Sequence, residues 1–251
     1  MNRRVKAEKL ILKSNKYFAW MITGFILLIA YNVFSIAMDM QVQVSGGYYA
    51  YTVMMLACIL GAVIPMAAGA FLGGFDGSTQ MLEYRMTTQT SLQWLLSKLI
   101  LLVEIVFICI VALNTAGIVL DILKGTVCGD MQQNIFLLAE RLILTSSVWL
   151  FWGLLCFTIS LLTKSPGVGI LLGIAVFFGE QYIEQYIRIP FGIMWNIKSM
   201  EHYFFDNSSV PFGVVQSSYN TLLFSIGYTA LLILLCIVID FLYFKGRFPQ
   251  K

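Results

Sequence analysis

Residues 95–120 read LLSKLILLVEIVFICIVALNTAGIVL, and Lys98 and Glu104 are the only charged residues among them. A helix rises about 1.5 Å per residue, so about 20 mostly apolar residues cross a hydrocarbon core of about 30 Å. This run meets that length and is far too long for a buried strand. Five further segments read the same way: Tyr17–Met38, Tyr51–Phe75, Ile135–Leu162, Val168–Ile187 and Thr221–Phe244. The fifth of the six spans is the weakest, because its clean apolar stretch stops at Phe178 and Glu180, Gln181 and Glu184 follow. The expected fold class is all-α integral membrane, six transmembrane helices in a single domain over residues 1–251.

Composition agrees. The chain is 59% apolar and 12% charged, with a mean hydropathy of +0.82. Soluble domains carry about a quarter charged residues, so lipid is the expected solvent. Of the five cysteines, Cys58, Cys109, Cys156 and Cys236 fall in apolar runs and only Cys128 in a polar loop. No C-x-x-C pair exists, so they read as small packing residues and not as a disulfide framework or metal site. The apolar run from Tyr17 is too long for a cleaved signal and reads as a retained first span.

Lysine and arginine set the expected orientation. Arg3, Arg4, Lys6, Lys9, Lys13, Lys16, Arg85, Lys98, Lys164, Lys245, Arg247 and Lys251 fall on one side; Lys124, Arg188 and Lys198 fall on the other. Both termini are therefore expected in the cytoplasm, which requires an even number of spans.

Three regions outside the spans carry information. Residues 1–16 interleave basic residues with Val5, Leu10, Ile11 and Leu12, the pattern of an interfacial amphipathic helix. Residues 76–98 form the longest polar cytoplasmic stretch, which opens with a glycine-rich helix break at Gly73–Thr79 and continues at helical spacing through Met81, Leu82, Tyr84 and Arg85. Residues 180–220 scatter aromatics, Trp195 and Phe204 among them, between Pro190 and Pro211. That suits a re-entrant outer segment between helices five and six, covered by protein.

No catalytic signature is present. There is no P-loop, no G-x-S-x-G, and a single histidine, His202, which removes H-E-x-x-H zinc sites. The chain is expected not to be an enzyme, to hold no metal or cofactor of its own and to have no nucleic-acid partner. Ionisable groups within spans are functional candidates. Glu104 lies near the middle of span three, and Glu140 and Arg141 lie a turn or two into span four. Two readings stay open for them: an ion pair joining helices, with Arg141 reaching toward Glu104, or the polar lining of a translocation path. Glu180 and Glu184, one turn apart at the outer mouth, read either as a gate that attracts cations or as a solvated helix end. Pro65 sits inside span two, where it removes a backbone hydrogen bond and a kink is expected. Gly69-Ala70-Phe71-Leu72-Gly73 fits the small-xxx-small pattern of close helix contact.

This layout resembles the type-2 ABC exporter permeases. The local match is Phe75-Asp76-Gly77-Ser78-Thr79-Gln80-Met81-Leu82-Glu83 leading to Ser97-Lys98-Leu99. Asp76, Gly77, Thr79 and Lys98 correspond to the family's acidic residue, Gly-Thr-like pair and lysine opening span three. The family's usual proline is absent, and Thr87-Thr88-Gln89-Thr90 stands in its place. The resemblance implies a membrane subunit that works with a second permease subunit, identical or paralogous, and with a separate P-loop ATPase subunit holding ATP and Mg. It implies that residues 76–93 form a coupling helix in which Asp76, Gly77, Thr79, Glu83, Tyr84 and Arg85 meet the ATPase. It also implies a bacterial plasma-membrane location, an outer gate around Glu180, Glu184, Trp195 and Phe204, and export of amphipathic peptides or similar hydrophobic substrates. A secondary carrier or channel, or a non-transporting immunity protein, are the alternatives. Carriers usually show internal pseudo-symmetry and helices broken at the midplane, and the sequence shows neither clearly.

Overall fold

The computed structural model describes residues 2–16, 19–20, 22–24, 26–27, 30–31, 34, 61–78, 90–124, 131–186 and 222–247. Among these the regular structure is entirely helical, with no strand. The helices are α1 (Asn2–Ser14), α2 (Val63–Ser78), α3 (Ser91–Lys124), α4 (Met131–Thr163), α5 (Pro166–Tyr186) and α6 (Leu222–Arg247). Three described stretches are long and apolar enough to cross a membrane: Leu92–Leu120, Thr145–Thr163 and Ile226–Gly246. Val63–Gly77 and Pro166–Glu180 are apolar but shorter. The first expected span is described only at scattered residues up to Phe34, helical where described, and the second only from Gly61 onward.

Helix α4 is the centre of the assembly. Its apolar window is 67% buried, against 39% for α3 and 17% for α6, and α2, α3, α5 and α6 all pack on it. The contact with α2 is backbone against backbone. Pro65, Gly69, Gly73 and Gly77 recur every four residues, so they form one ridge along α2. A Cβ placed on Gly69 would stand 1.8 Å from the Gly153 carbonyl oxygen, and one on Gly73 would stand 2.3 Å from that of Phe157. The small-xxx-small pattern is thus in use, with Gly153 supplying the matching hollow on α4. Helix α5 meets another side of α4, where Gly169 and Gly173 lie against Ser160 and Cys156. Helices α3 and α4 run antiparallel, since Trp94 meets Phe157 and Leu102 lies beside Gly153.

Two expectations are corrected. Gly73-Gly74 does not break the helix, because α2 continues to Ser78. The glycines there let α4 and the α4–α5 turn approach, Gly74 lying against Pro166, so they act as spacers. Pro65 is the third residue of α2. There its missing N–H is one that a helix start leaves unpaired anyway, and no kink is required.

The fifth helix, the weakest of the expected spans, ends within a residue of its expected limit at Ile187. It continues as one helix through Glu180 and Glu184 to Tyr186, since glutamate and glutamine are good helix formers and no proline intervenes before Pro190. Its start is tightly specified. Lys164 takes a left-handed conformation with φ of 55°, Ser165 accepts a long hydrogen bond of 3.5 Å on its Oγ from the Val168 N–H, and Pro166 occupies the first helical position, where proline is favoured. Lys164→Gly removes the steric cost of that backbone, partly offset by unfolded-chain entropy, and is expected to stabilise the protein by about 0.5 kcal/mol. Thermal unfolding in detergent checks it.

Large apolar side chains remain exposed along the outward faces: Phe107 and Val111 on α3, Leu171 and Phe178 on α5, Leu234, Leu235 and Leu242 on α6. Such continuous apolar surface is consistent with lipid as the surrounding solvent.

Candidate functional site

Where α1, α2 and α3 meet, charged side chains are buried together. Lys98 of α3 is 2% exposed, Asp76 of α2 is 0% and Glu8 of α1 is 6%. The Lys98 Nζ donates to Glu8 Oε2 at 2.6 Å and lies 3.2 Å from Asp76 Oδ2. The Trp94 indole N–H donates to the same Asp76 oxygen at 2.9 Å. The ammonium also stands 5.5 Å from the Trp94 ring centroid, a cation–π distance.

Local helix geometry presents these groups. Trp94 and Lys98 are four residues apart on α3 and share its inner face. Glu8 and Leu12, four apart on α1, are both buried and define the face that α1 turns inward. Trp94 continues the cluster into the core, with ring centroids 5.0 Å from Phe244 of α6 and 6.1 Å from Phe157 of α4. One lysine and one tryptophan therefore tie five helices together.

Energetically this is a high-stakes arrangement. Burying ions costs several kcal/mol each unless they are paired with good geometry. An ammonium has three N–H donors and no acceptor, and here it meets two carboxylates and an aromatic face. No nucleophile and base stand together here, and among the described residues no group of three or more His, Cys, Asp or Glu side chains is placed to hold a metal. What the cluster does is fasten.

The expected site residues distribute as follows. Asp76, expected at the head of a cytoplasmic helix, lies instead in the last turn of α2, fully buried and engaged by Trp94 and Lys98. Gly77 follows in α2 against Lys164. Thr79, Glu83, Tyr84 and Arg85 lie outside the described residues, as do Trp195 and Phe204. Glu104 forms an ion pair with Lys9 of α1. Glu140 and Arg141 belong to α4, but their side chains lie outside the described set. Glu180 is half-buried in α5, and Glu184 belongs to the same helix.

Glu8 and Trp94 are the functional candidates that sequence reading missed. A signal for Glu8 existed, since it is the single acid among the basic residues of α1 and shares a helix face with Leu12.

Comparison with known proteins returns no matching family model, no matching curated protein and no matching solved structure. The class defined by the geometry alone is that of a helical protein with membrane-spanning character and a buried ionic clamp.

Proposed function

We propose that this chain is the membrane half of an ATP-driven exporter of the type-2 ABC permease kind. In this reading six helices cross a bacterial plasma membrane with both termini in the cytoplasm, and a re-entrant outer segment within residues 180–220 gates the exit. Two permease subunits enclose the path, and a separate P-loop ATPase subunit, holding ATP and Mg, supplies the work. Amphipathic peptides or similar hydrophobic molecules are the substrates.

The observation that carries this reading is the clamp at both roots of the polar stretch 79–89. That stretch leaves the described structure after Ser78, two residues beyond Asp76, and re-enters at Thr90, four residues before Trp94. Asp76, Trp94 and Lys98 join its two roots to each other, and Glu8 joins them to α1. A push on residues 79–89 is then delivered to α1, α2 and α3 as one body instead of being lost in bending, which is what rigid-body gating needs. In this arrangement Asp76 anchors the coupling stretch, while Glu83 and Arg85 make the charged contacts with the ATPase.

Purification of the tagged chain from its native membranes in mild detergent, followed by mass spectrometry of what accompanies it, tests the proposal. A roughly stoichiometric P-loop ATPase is expected, and Glu83→Lys with Arg85→Glu is expected to lose it while the permease itself stays folded. A homo-oligomer without any ATPase, under conditions that preserve such complexes, contradicts the reading and moves the chain to the carriers, channels or immunity proteins.

A further inference from the structure

Beside the clamp lies a groove of about 480 Å³, bounded by α1, by Ala19, Ile22 and Thr23, and by one face of α3. The volume falls in the range of small-molecule sites, about 300–1,000 Å³. Leu101, Glu104, Ile105 and Ile108 line its α3 wall at helical spacing, so it follows α3 for about 10 Å. Leu101, Glu104 and Ile105 lie in the first half of the Leu92–Leu120 candidate span and Ile108 just past its middle. The groove is apolar except at Lys9 and Glu104, which are paired with each other and half-exposed. The Thr23 hydroxyl is already bonded to the Ala19 carbonyl and adds no free donor.

We propose that this groove holds an anionic phospholipid of the surrounding bilayer, its phosphate at Lys9 and an acyl chain along Ile22, Ile105 and Ile108. Charge selects the occupant. Lys6, Lys9 and Lys16 are all exposed, and their spacing of three and seven places them on one side of the N-terminal segment, next to the inward face marked by Glu8 and Leu12. Basic residues gathered where a helix enters the membrane attract anionic headgroups. Lys9 neutralises Glu104, so the carboxylate does not repel a phosphate; its ammonium has two further N–H donors for the phosphate, and the exposed Lys6 and Lys16 add positive charge around the groove. Polarity orders the parts: Lys9 and Glu104 make one charged point where the groove meets α1, and Ile22, Ile105 and Ile108 give it an apolar wall. An amphipathic peptide rich in lysine, by contrast, would meet like charge here. The inference needs only that α3 lies in a bilayer, and it stands apart from any ATPase.

The test uses the full chain in nanodiscs of mixed phosphatidylglycerol and phosphatidylcholine, re-extracted in mild detergent, with the lipids that remain bound counted by mass spectrometry. Phosphatidylglycerol is expected to be enriched among bound lipids over its share in the disc. Lys6→Gln with Lys9→Gln and Lys16→Gln should lower that enrichment about tenfold, while arginine at the same three positions keeps it. Ala19→Phe, which fills the groove without touching a charge, should lower it as well. Bound lipids in bulk proportion, or enrichment that survives the three glutamines, overturn the proposal. Enrichment that survives Ala19→Phe also overturns it, because the lipid would then rest on surface charge and not in the groove.

Discussion

Gly69→Ala is expected to lower the stability of the protein by at least about 3 kcal/mol, above the usual range for an overpacked site. Two effects oppose each other. Alanine is favoured over glycine inside a helix by about 1 kcal/mol. Against this, the new Cβ would stand 1.8 Å from the Gly153 carbonyl oxygen and 2.6 Å from its carbonyl carbon. Those atoms are backbone in the middle of α4 and have no rotamer to change. Helices α2 and α4 must separate, and the separation loosens the whole Pro65–Gly77 ridge. A drop in the unfolding midpoint of about 10 °C is the corresponding signature. Gly179→Ala is the matched control, because a Cβ there meets nothing within 4 Å, so only the propensity gain remains and the midpoint should hold or rise. Gly169→Ala falls between them, since the nearest atom is the Ser160 hydroxyl oxygen, which can rotate, while the Ser160 Cβ at 2.9 Å and the Cys156 carbonyl oxygen at 3.0 Å must give slightly.

Lys98→Met is the second large effect. The substitution fits the volume but leaves Glu8 and Asp76 buried without their shared cation. Removing one partner of a buried ion pair typically costs about 3–5 kcal/mol, because the remaining charge stays desolvated. Lys98→Met combined with Glu8→Gln and Asp76→Asn should recover much of that loss, since neutral amides can be buried with hydrogen bonds at far lower cost. Unfolding of the three proteins, unsubstituted, single and triple variant, in detergent separates the cases. If the single and triple variants are equally damaged, lost packing and not unpaired charge is the cause.

The parts of the fold that were legible follow from the length and hydropathy of apolar runs. The helices near residues 95–120, 135–162, 168–187 and 221–244 were read within a few residues of their ends. Which face of each turns inward was not legible. In a helix such as α6, Leu234 toward lipid and Cys236 toward the core are both apolar, so periodicity does not separate them as it would in water. The Gly69–Gly73 pattern was visible, but its partner Gly153 was not, because the register between two helices appears only when they pack. Gly73 and Gly74 misled for the same reason: glycine marks a break in an isolated segment and a close approach in a packed one. The clamp was half-legible. Asp76 and Lys98 were singled out, though by the resemblance and not as partners, whereas Glu8 is 90 residues from Lys98 and no local rule connects them.

The most direct measurement is amide hydrogen exchange on Glu8→Gln beside the unsubstituted protein. This change removes the carboxylate that ties α1 to Lys98, leaving the Lys9–Glu104 pair in place and Asp76, Trp94 and Lys98 to hold α2 to α3. The clamp predicts that α1 amides lose protection by about tenfold or more, as expected for loss of a charge-assisted hydrogen bond worth about 1.5–3 kcal/mol, while α2 and α4 keep theirs. Unchanged protection in α1 would contradict the account, for the N-terminal helix would then be held by something other than Lys98.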